Sequence, residues 1–306
     1  MRRRLDPGVL LLLTPILWGA TFPGAKIALG RLPVPAFMAL TRTLGLLAIV
    51  ALVPFMRRAD DRRTPGDARA VVVPSALLGA LIFIAYSLQT EGLARTTATN
   101  AGFITGLYVV FTPVIAAVAF RHRVAAAAWI AVSVAVVGLA LLSIRHLDRV
   151  RVHGGDLLVL GGAIVWAAHI TGVGHFSVRF PAWMLSLGQM GFTAAFQLVA
   201  ASGTGLHLGS AASIHVWPLL ALTGALGSGV AYTIQIVGQR SLTATRAVVI
   251  LAGEAIFAAA FAAVWIGDRL SLHQWVGAGL VLAAMAGSEL AARRPPEQRI
   301  EPASAE

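Results

Sequence analysis

Glu254, Arg42 and His169 carry charge or acid–base chemistry inside apolar surroundings. Glu254 lies in "ILAGEAIFAAAFAAVW", Ile250 to Trp265, and it is the one formally charged side chain in the twenty residues from Ala247 to Ile266. A carboxyl group in such a place can accept and release a proton, hold an amine, or hydrogen-bond a neighbouring helix. Arg42 sits about ten residues into another apolar block, past Pro33 and Pro35, and its planar fork suits a carboxylate. Its long stem would equally let it snorkel to an interface. His169 follows Trp166 by three residues, which puts the two on one side of a helix. Trp18, Trp166, Tyr86, Tyr108 and Tyr232 also fall within apolar stretches, where their rings either stack on an organic solute or pack helices together.

The elements that position these groups follow from composition. The chain has 306 residues, 58% of them hydrophobic and 12% charged, with mean hydropathy +0.80. That is far from the balance of a soluble globular domain, so the chain reads as an integral membrane protein. Ten apolar blocks follow one another: Pro7 to Leu29, Leu32 to Met56, Ala70 to Thr90, Thr96 to Phe120, Val124 to Ile144, Leu157 to Val178, Phe180 to Ser202, Trp217 to Gln239, Ala244 to Ile266 and Leu270 to Gly287. Twenty apolar residues make about 30 Å of helix, the thickness of a bilayer's hydrocarbon core. Lipid offers the backbone no hydrogen-bond partner, so a span is a helix or part of a closed barrel, and uninterrupted blocks exclude short alternating strands. An all-α bundle of ten transmembrane helices is expected. A carboxylate at the centre of such a helix costs about 3 kcal/mol on insertion scales, which turns Glu254 toward the interior or toward water.

The net charge of +11 would suggest nucleic acid in a soluble chain, but its placement here reports topology. With the N-terminus inside, 16 of the 24 basic residues sit at inner ends and seven at outer ends, with Arg42 inside a block. That bias places both termini in the cytoplasm, although Arg145, Arg149 and Arg151 in one outer connection run against it. The single lysine, Lys26, falls near the outer end of the first block and reads as an interfacial anchor or a residue at a mouth. The start "MRRRLDPGVLLLLTPILWGATF" resembles a signal peptide, yet its apolar stretch is long for one and nine further spans follow. The tail after Arg293 is Pro-rich and charged, and is expected to be disordered. Cysteine is absent, which excludes disulfides and thiolate metal sites. No GxxxxGK[ST] loop points to an ATP-driven pump, and no HExxH, acidic cluster or metal-like His pair points to a lipid-acting enzyme. No cofactor is expected.

Sliding the chain by 146 positions aligns Tyr86–Trp129 with Tyr232–Trp275, and 14 of the 44 ungapped positions are identical. The matches include polar and special residues that apolar composition alone would not align: Tyr86 with Tyr232, Gln89 with Gln235, Gly92 with Gly238, Thr97 with Thr243 and Arg123 with Arg269. "LWGATF" likewise faces "VWAAHI", so Trp18 pairs with Trp166. A unit of five spans is therefore repeated, over residues 1–145 and 150–292. Five is odd, so the second copy enters the membrane from the opposite side and the halves are inverted. Inverted repeats place a solute site near the midplane between them. Gly102-xxx-Gly106, Ala255-xxx-Ala259-xxx-Ala263 and Ala283-xxx-Gly287 permit close helix packing or a homodimer. Pro15, Pro23 and Pro113 free backbone carbonyls within spans.

The Trp-Gly-Ala-Thr-Phe of the first block, "GLYVVFTPVIAAVAF" in the fourth and "GEAIFAAAFAAVWIGDRLSLHQWVGAGLVLA" in the last two resemble the drug/metabolite transporter superfamily, EamA-type branch. The resemblance covers both halves. It departs at Ala255, where the family commonly has proline after the acid, and at Arg121-His122, where Gly-Glu is usual. It implies a secondary transporter, an exporter in the bacterial inner membrane, moving a small organic metabolite or drug-like solute by alternating access. Trp18, Tyr86, Tyr108, Trp166, His169, Tyr232, Glu254 and Arg42 are then the candidate solute-binding residues, with Glu254 as a proton or amine site. The expected partners are a small-molecule solute, the lipid bilayer and protons, and not nucleic acid. A structural or sensory membrane protein, or a membrane-embedded enzyme, is the competing class.

Overall fold

The computed structural model describes residues 7–59, 68–121, 124–143, 154–203, 215–267 and 270–293. The connection bearing Arg145, Arg149 and Arg151, the residues His122 and Asp268, and the polar tail lie outside the described residues.

All regular structure among the described residues is helical. Helix α1 is Leu13–Leu29, led by a short turn of helix at Pro7–Leu11, and α2 is Val34–Ala59. Helix α3 is Val72–Arg95, α5 is Ala126–Ser143, α6 is Gly154–Phe176, α7 is Ala182–Ser202 and α10 is Leu272–Arg293. Helix α4 runs in two segments, Ala98–Gly106 and Tyr108–Phe120, and α9 likewise as Ala244–Leu251 and Glu254–Ile266. Helix α8 joins Trp217–Leu220, a π-helical stretch Ala221–Val230 and Ala231–Gln239. Eight spans are long and apolar enough to cross a membrane, and Ala126–Leu142 and Leu272–Gly287 are shorter apolar helices. Ten crossings return the chain to the face where it began, called the terminal face below.

The two halves interleave. Helix α3 packs on α6 and α7, α8 on α1 and α2, α4 on α6, α9 on α1, α2 on α7, and α5 on α10. Lipid tails are as apolar as leucine, so such seams depend on close packing more than on water exclusion. Glycine permits it: a Cβ on Gly277 would lie 2.5 Å from the Gly138 carbonyl oxygen, and one on Gly19 would collide with Phe257 Cβ. Among the small-residue motifs, Gly102 and Gly106 face Ala258 and Leu139. Ala283 and Gly287, by contrast, are exposed on α10.

The continuous fourth and ninth blocks of the sequence are not continuous helices. A turn at Leu107 divides α4, and Ala252–Gly253 divides α9 at the equivalent place in the repeat. Each second segment therefore begins inside the membrane, with Tyr108 in one half and Glu254 in the other. Equivalent threonines cap the two first segments: Thr97 accepts from the Asn100 amide and Thr243 from the Arg246 amide.

Candidate functional site

The interrupted helices meet α1, α3, α6 and α8 around a small chamber. It is walled by Trp18, Thr21, Phe22, Tyr86, Gln89, Thr105, Tyr108, Trp166, Ile170, Tyr232 and Glu254. Its volume is about 40 Å³, room for a few waters. Sites for organic ligands run to roughly 300–1,000 Å³, so the chamber is well below that size.

The rings form one continuous wall. Trp18 lies 5.1 Å from Tyr232 between centroids, Trp166 stacks on Tyr232 at 6.0 Å and 27°, and Tyr86 meets Trp166 edge-on at 6.5 Å. Each indole is fixed by its N–H: Trp166 Nε1 donates to Gln89 Oε1 at 2.6 Å and Trp18 Nε1 to the Gly227 carbonyl at 2.9 Å. Opposite these rings the chamber is polar. Glu254 is 3% exposed and in interaction range of the Tyr108 hydroxyl, but neither its Oε1 nor that hydroxyl completes a hydrogen bond of full geometry. Thr105 Oγ1 is likewise without a partner. Native proteins leave few buried polar groups unmet, and here three of them border one cavity. The arrangement sets a wall of flat apolar rings in one chamber with unmet hydrogen-bonding groups.

The structure thus brings Trp18, Tyr86, Tyr108, Trp166, Tyr232 and Glu254 together and leaves two candidates one layer back. His169 is fully buried against Trp166 and Tyr232, with Nε2 3.2 Å from Gln189 Oε1, and does not border the chamber. Arg42 corrects the snorkelling expectation: it is 1% exposed, so its head does not reach an interface. Its guanidinium lies over the Tyr86 ring, 3.7 Å from the centroid, and Nε and Nη1 have no partner. Lys26 donates its ammonium to three main-chain carbonyls, Leu93, Ala94 and Thr96, at the end of α3 in the same half. Gln89, Thr21, Phe22, Thr105 and Ile170 are chamber residues that the sequence did not single out for this role. Gln89 alone carried a signal, as a polar residue that recurs in the repeat.

On the terminal face a larger cavity, about 730 Å³, opens between the ends of α4, α5, α6, α8 and α9. Gly174, His175, Arg179, Arg240, Ser241, Thr243 and Arg246 contribute to its lining, which contains no carboxylate among the described residues. Thr171 borders this vestibule and the adjacent Ile170 borders the chamber, so the two are neighbours along α6. Phe22 of the chamber wall belongs to a buried apolar cluster that also includes Ala25, Phe37, Met38, Leu93 and Leu220.

A bundle of ten interleaved helices around a polar-sided central chamber is the architecture of a multi-pass membrane transporter. The profile of the EamA-like transporter family matches the chain twice, over residues 7–144 and 153–288. An uncharacterized transporter of Archaeoglobus fulgidus is 30% identical over 283 residues, 92% of this chain and 85% of the relative. The uncharacterized transporter YyaM of Bacillus subtilis is 27% identical over 172 residues, 55% of each chain. A protein of known crystal structure, 18% identical, superposes with a TM-score of 0.75 over 94% of this chain and 98% of its own, and shares the fold. The chain belongs to the EamA-like transporter family.

Proposed function

We propose that the protein exports a small organic metabolite or drug-like solute by alternating access. The two five-helix units, residues 1–145 and 150–292, are the moving bodies. One observation carries the reading: Thr105, Tyr108 and Glu254 present unmet polar atoms to a midmembrane cavity whose other wall is Trp18, Tyr86, Trp166 and Tyr232. The rings receive the solute's apolar body. Glu254 takes its amine or a coupled proton, and the Arg42 fork takes a carboxylate once Tyr86 swings from its face. The excess of basic residues on the terminal face supports a cytoplasmic placement of both ends in the bacterial inner membrane. On that placement the open vestibule faces the cytoplasm, which suits loading for export.

Metabolite profiling of cells with and without the gene supplies the solute, and flux into proteoliposomes tests the site. Glu254→Gln is expected to insert and express as the parent does while flux falls about tenfold or loses its pH dependence. A variant that transports like the parent at every pH removes the coupling role.

A further inference from the structure

The vestibule of the terminal face, at about 730 Å³, has the size of a site for an organic ligand, which the chamber lacks. Where it meets α4 and α5 it is apolar, with Phe120, Ala125 and Ala128. The Phe120 ring stacks there on His175, 4.3 Å between centroids and 16° apart, and offers a flat face. The ends of α6 and α8 and the start of α9 contribute Arg179, Arg240 and Arg246. Basic residues are expected on a cytoplasmic face, but any connection exposed to water would serve that purpose. Arg240 and Arg246 are placed otherwise, since both are half-buried beside the cavity. Arg240 Nε donates to the Ser177 carbonyl at 3.1 Å and Nη2 to the Phe180 carbonyl at 2.9 Å. These two acceptors are neutral, so they fix the fork without removing its charge. Arg246 stands in the first turn of α9, three residues after the Thr243 cap, where the positive end of the helix dipole disfavours a cation.

The fold demands neither charge. By the offset of 146, Ala94 and Asn100 hold the equivalent stations in the first half, where Thr97 caps its helix as Thr243 does. A residue that opposes its own helix is a local conflict of the kind found at functional sites, and a bound anion would relieve it. The same chemistry recurs further in. Thr171 of the vestibule adjoins Ile170 of the chamber, and Arg42 lies behind the Tyr86 wall of that chamber with Nε and Nη1 unpartnered. We propose that the vestibule binds the carboxylate or phosphate head of an organic acid, with Arg246 as the main contact and the Phe120–His175 face as the seat of the acid's apolar body. Guanidinium forks suit such oxyanions because they donate two parallel hydrogen bonds. A lipid headgroup offers the same oxyanion, but the vestibule leads inward to a midmembrane chamber where no headgroup belongs. The inference rests on the export reading above for its direction, and it narrows the solute to an acid.

The absence of cysteine lets a single reporter, Ala244→Cys, be placed on the lining. Its rate of labelling with an uncharged maleimide is measured on the full chain in dodecyl maltoside, a detergent without phosphate. Saturating phenyl phosphate is expected to slow labelling at least fivefold, and benzyl alcohol, similar in size and uncharged, to leave it within twofold. Arg246→Gln should raise the half-protecting concentration of phenyl phosphate about tenfold, with Arg246→Lys recovering most of the loss. Arg58→Gln, at the exposed end of α2 and outside the vestibule, should stay within twofold of the parent. An unchanged labelling rate without probe shows that Arg246→Gln is folded; if it is not, the exposed Arg179→Gln replaces it, with about a threefold rise expected. Equal protection by benzyl alcohol, or an Arg58→Gln effect as large as that of the vestibule arginines, overturns the site. Phosphatidylglycerol added to the micelles tests the lipid source: protection by the lipid alone that phenyl phosphate cannot displace makes the vestibule a headgroup seat and also overturns it. Proteoliposome flux separates the two readings. Flux without protection by phenyl phosphate removes the acid site and leaves the transporter, whereas protection with no flux of any solute removes the export reading alone.

Discussion

Trp18 and Trp166 occupy the same station in the two halves, yet different groups hold them. Trp166 is fixed by a side chain, Gln89, and Trp18 by a main-chain carbonyl, Gly227. Gln235, the repeat equivalent of Gln89, turns away to donate to Gln239 Oε1 at 2.8 Å, and Gln239 in turn donates to the Ile170 carbonyl. The cause is one residue. "ALLGAL", Ala76–Leu81, matches "ALTGAL", Ala221–Leu226, at an offset of 145, whereas Tyr86 matches Tyr232 at 146. Helix α8 thus carries one more residue than α3 between these points, and it absorbs that residue as the π-helical stretch Ala221–Val230. A π-bulge widens the turn and releases carbonyls from the regular ladder, which makes the Gly227 oxygen available to an indole. The seam before the insertion is unchanged. A Cβ on Gly79 would meet Phe192 Cβ at 2.7 Å and the Gln189 oxygen at 2.8 Å, and one on Gly224 would meet the Thr41 oxygen at 2.7 Å and Leu44 Cβ at 2.8 Å. Duplication kept the helix seams and let the polar fastenings of the chamber diverge.

The largest effects should come from the part that stayed the same. Gly79→Val and Gly224→Val each force a side chain into a neighbouring backbone, which costs about 1–3 kcal/mol or more when a packed seam cannot move. Size-exclusion profiles and thermal midpoints in detergent should show severe and similar losses for both. A clearly milder Gly224→Val would mean that the π-helical stretch lets α8 yield, and the seams would then not be equivalent.

Smaller and unequal effects should come from the fastenings. Trp18→Phe strands the Gly227 carbonyl, which is fixed in the helix backbone, and a buried polar group left unmet costs about 1–3 kcal/mol. Trp166→Phe strands Gln89, whose side chain is only half-buried and can turn to another partner, so the loss should be about 1 kcal/mol or less. Chemical or thermal unfolding of the two variants orders them. In a double-mutant cycle, Gln89→Leu should cost less in the Trp166→Phe background than in the parent, whereas its cost in the Trp18→Phe background should be unchanged. Equal losses for the two tryptophans would sink the claim that the insertion changed how the wall is held.

The difference between the halves also marks what the sequence could disclose. Ten spans, their inversion and the inward turn of Glu254 follow from apolar length, an odd repeat and the cost of a carboxylate in lipid. The station of Trp18 and Trp166 followed from the offset alone. Their partners did not, because Gln89 and Gly227 lie 77 and 209 residues away, and a one-residue insertion redirects a hydrogen bond without altering any pattern of hydropathy. The choice between the two readings of Arg42 stayed open for a related reason. Snorkelling is the economical choice for a lone helix in lipid, and the sequence does not show that α2 is enclosed at that level by Tyr86. Thr105 was passed over because a threonine in an apolar helix ordinarily bonds its own backbone, as Thr112 does to the Tyr108 carbonyl at 2.8 Å. Lys26 stood out by type, but its partners depended on which carbonyls its stem could reach.

The finest distinction between the halves lies where α4 and α9 end. Arg121 and Gly267 are repeat equivalents, both with left-handed backbone, at φ 53° and 75°. Each amide donates to the equivalent carbonyl, Ala116 and Ala262. The departure from Gly-Glu at Arg121 therefore leaves the turn in place and loads it with a side chain that the conformation disfavours by about 1–2 kcal/mol. A cation beside a helix C-terminus recovers about 0.3–1 kcal/mol, at the low end for an exposed group. Glycine's extra freedom in the unfolded chain takes back a further part of any gain. Strain is still the larger quantity, so Arg121→Gly should raise stability by about 0.5 kcal/mol. Gly267→Ala has no charge to offset it and should lower stability by about 1 kcal/mol. Thermal midpoints of the two variants settle the sign. If Arg121→Gly is destabilising instead, contacts of the arginine at the terminal face outweigh the strain of its backbone, and the two helix ends differ in more than their cap.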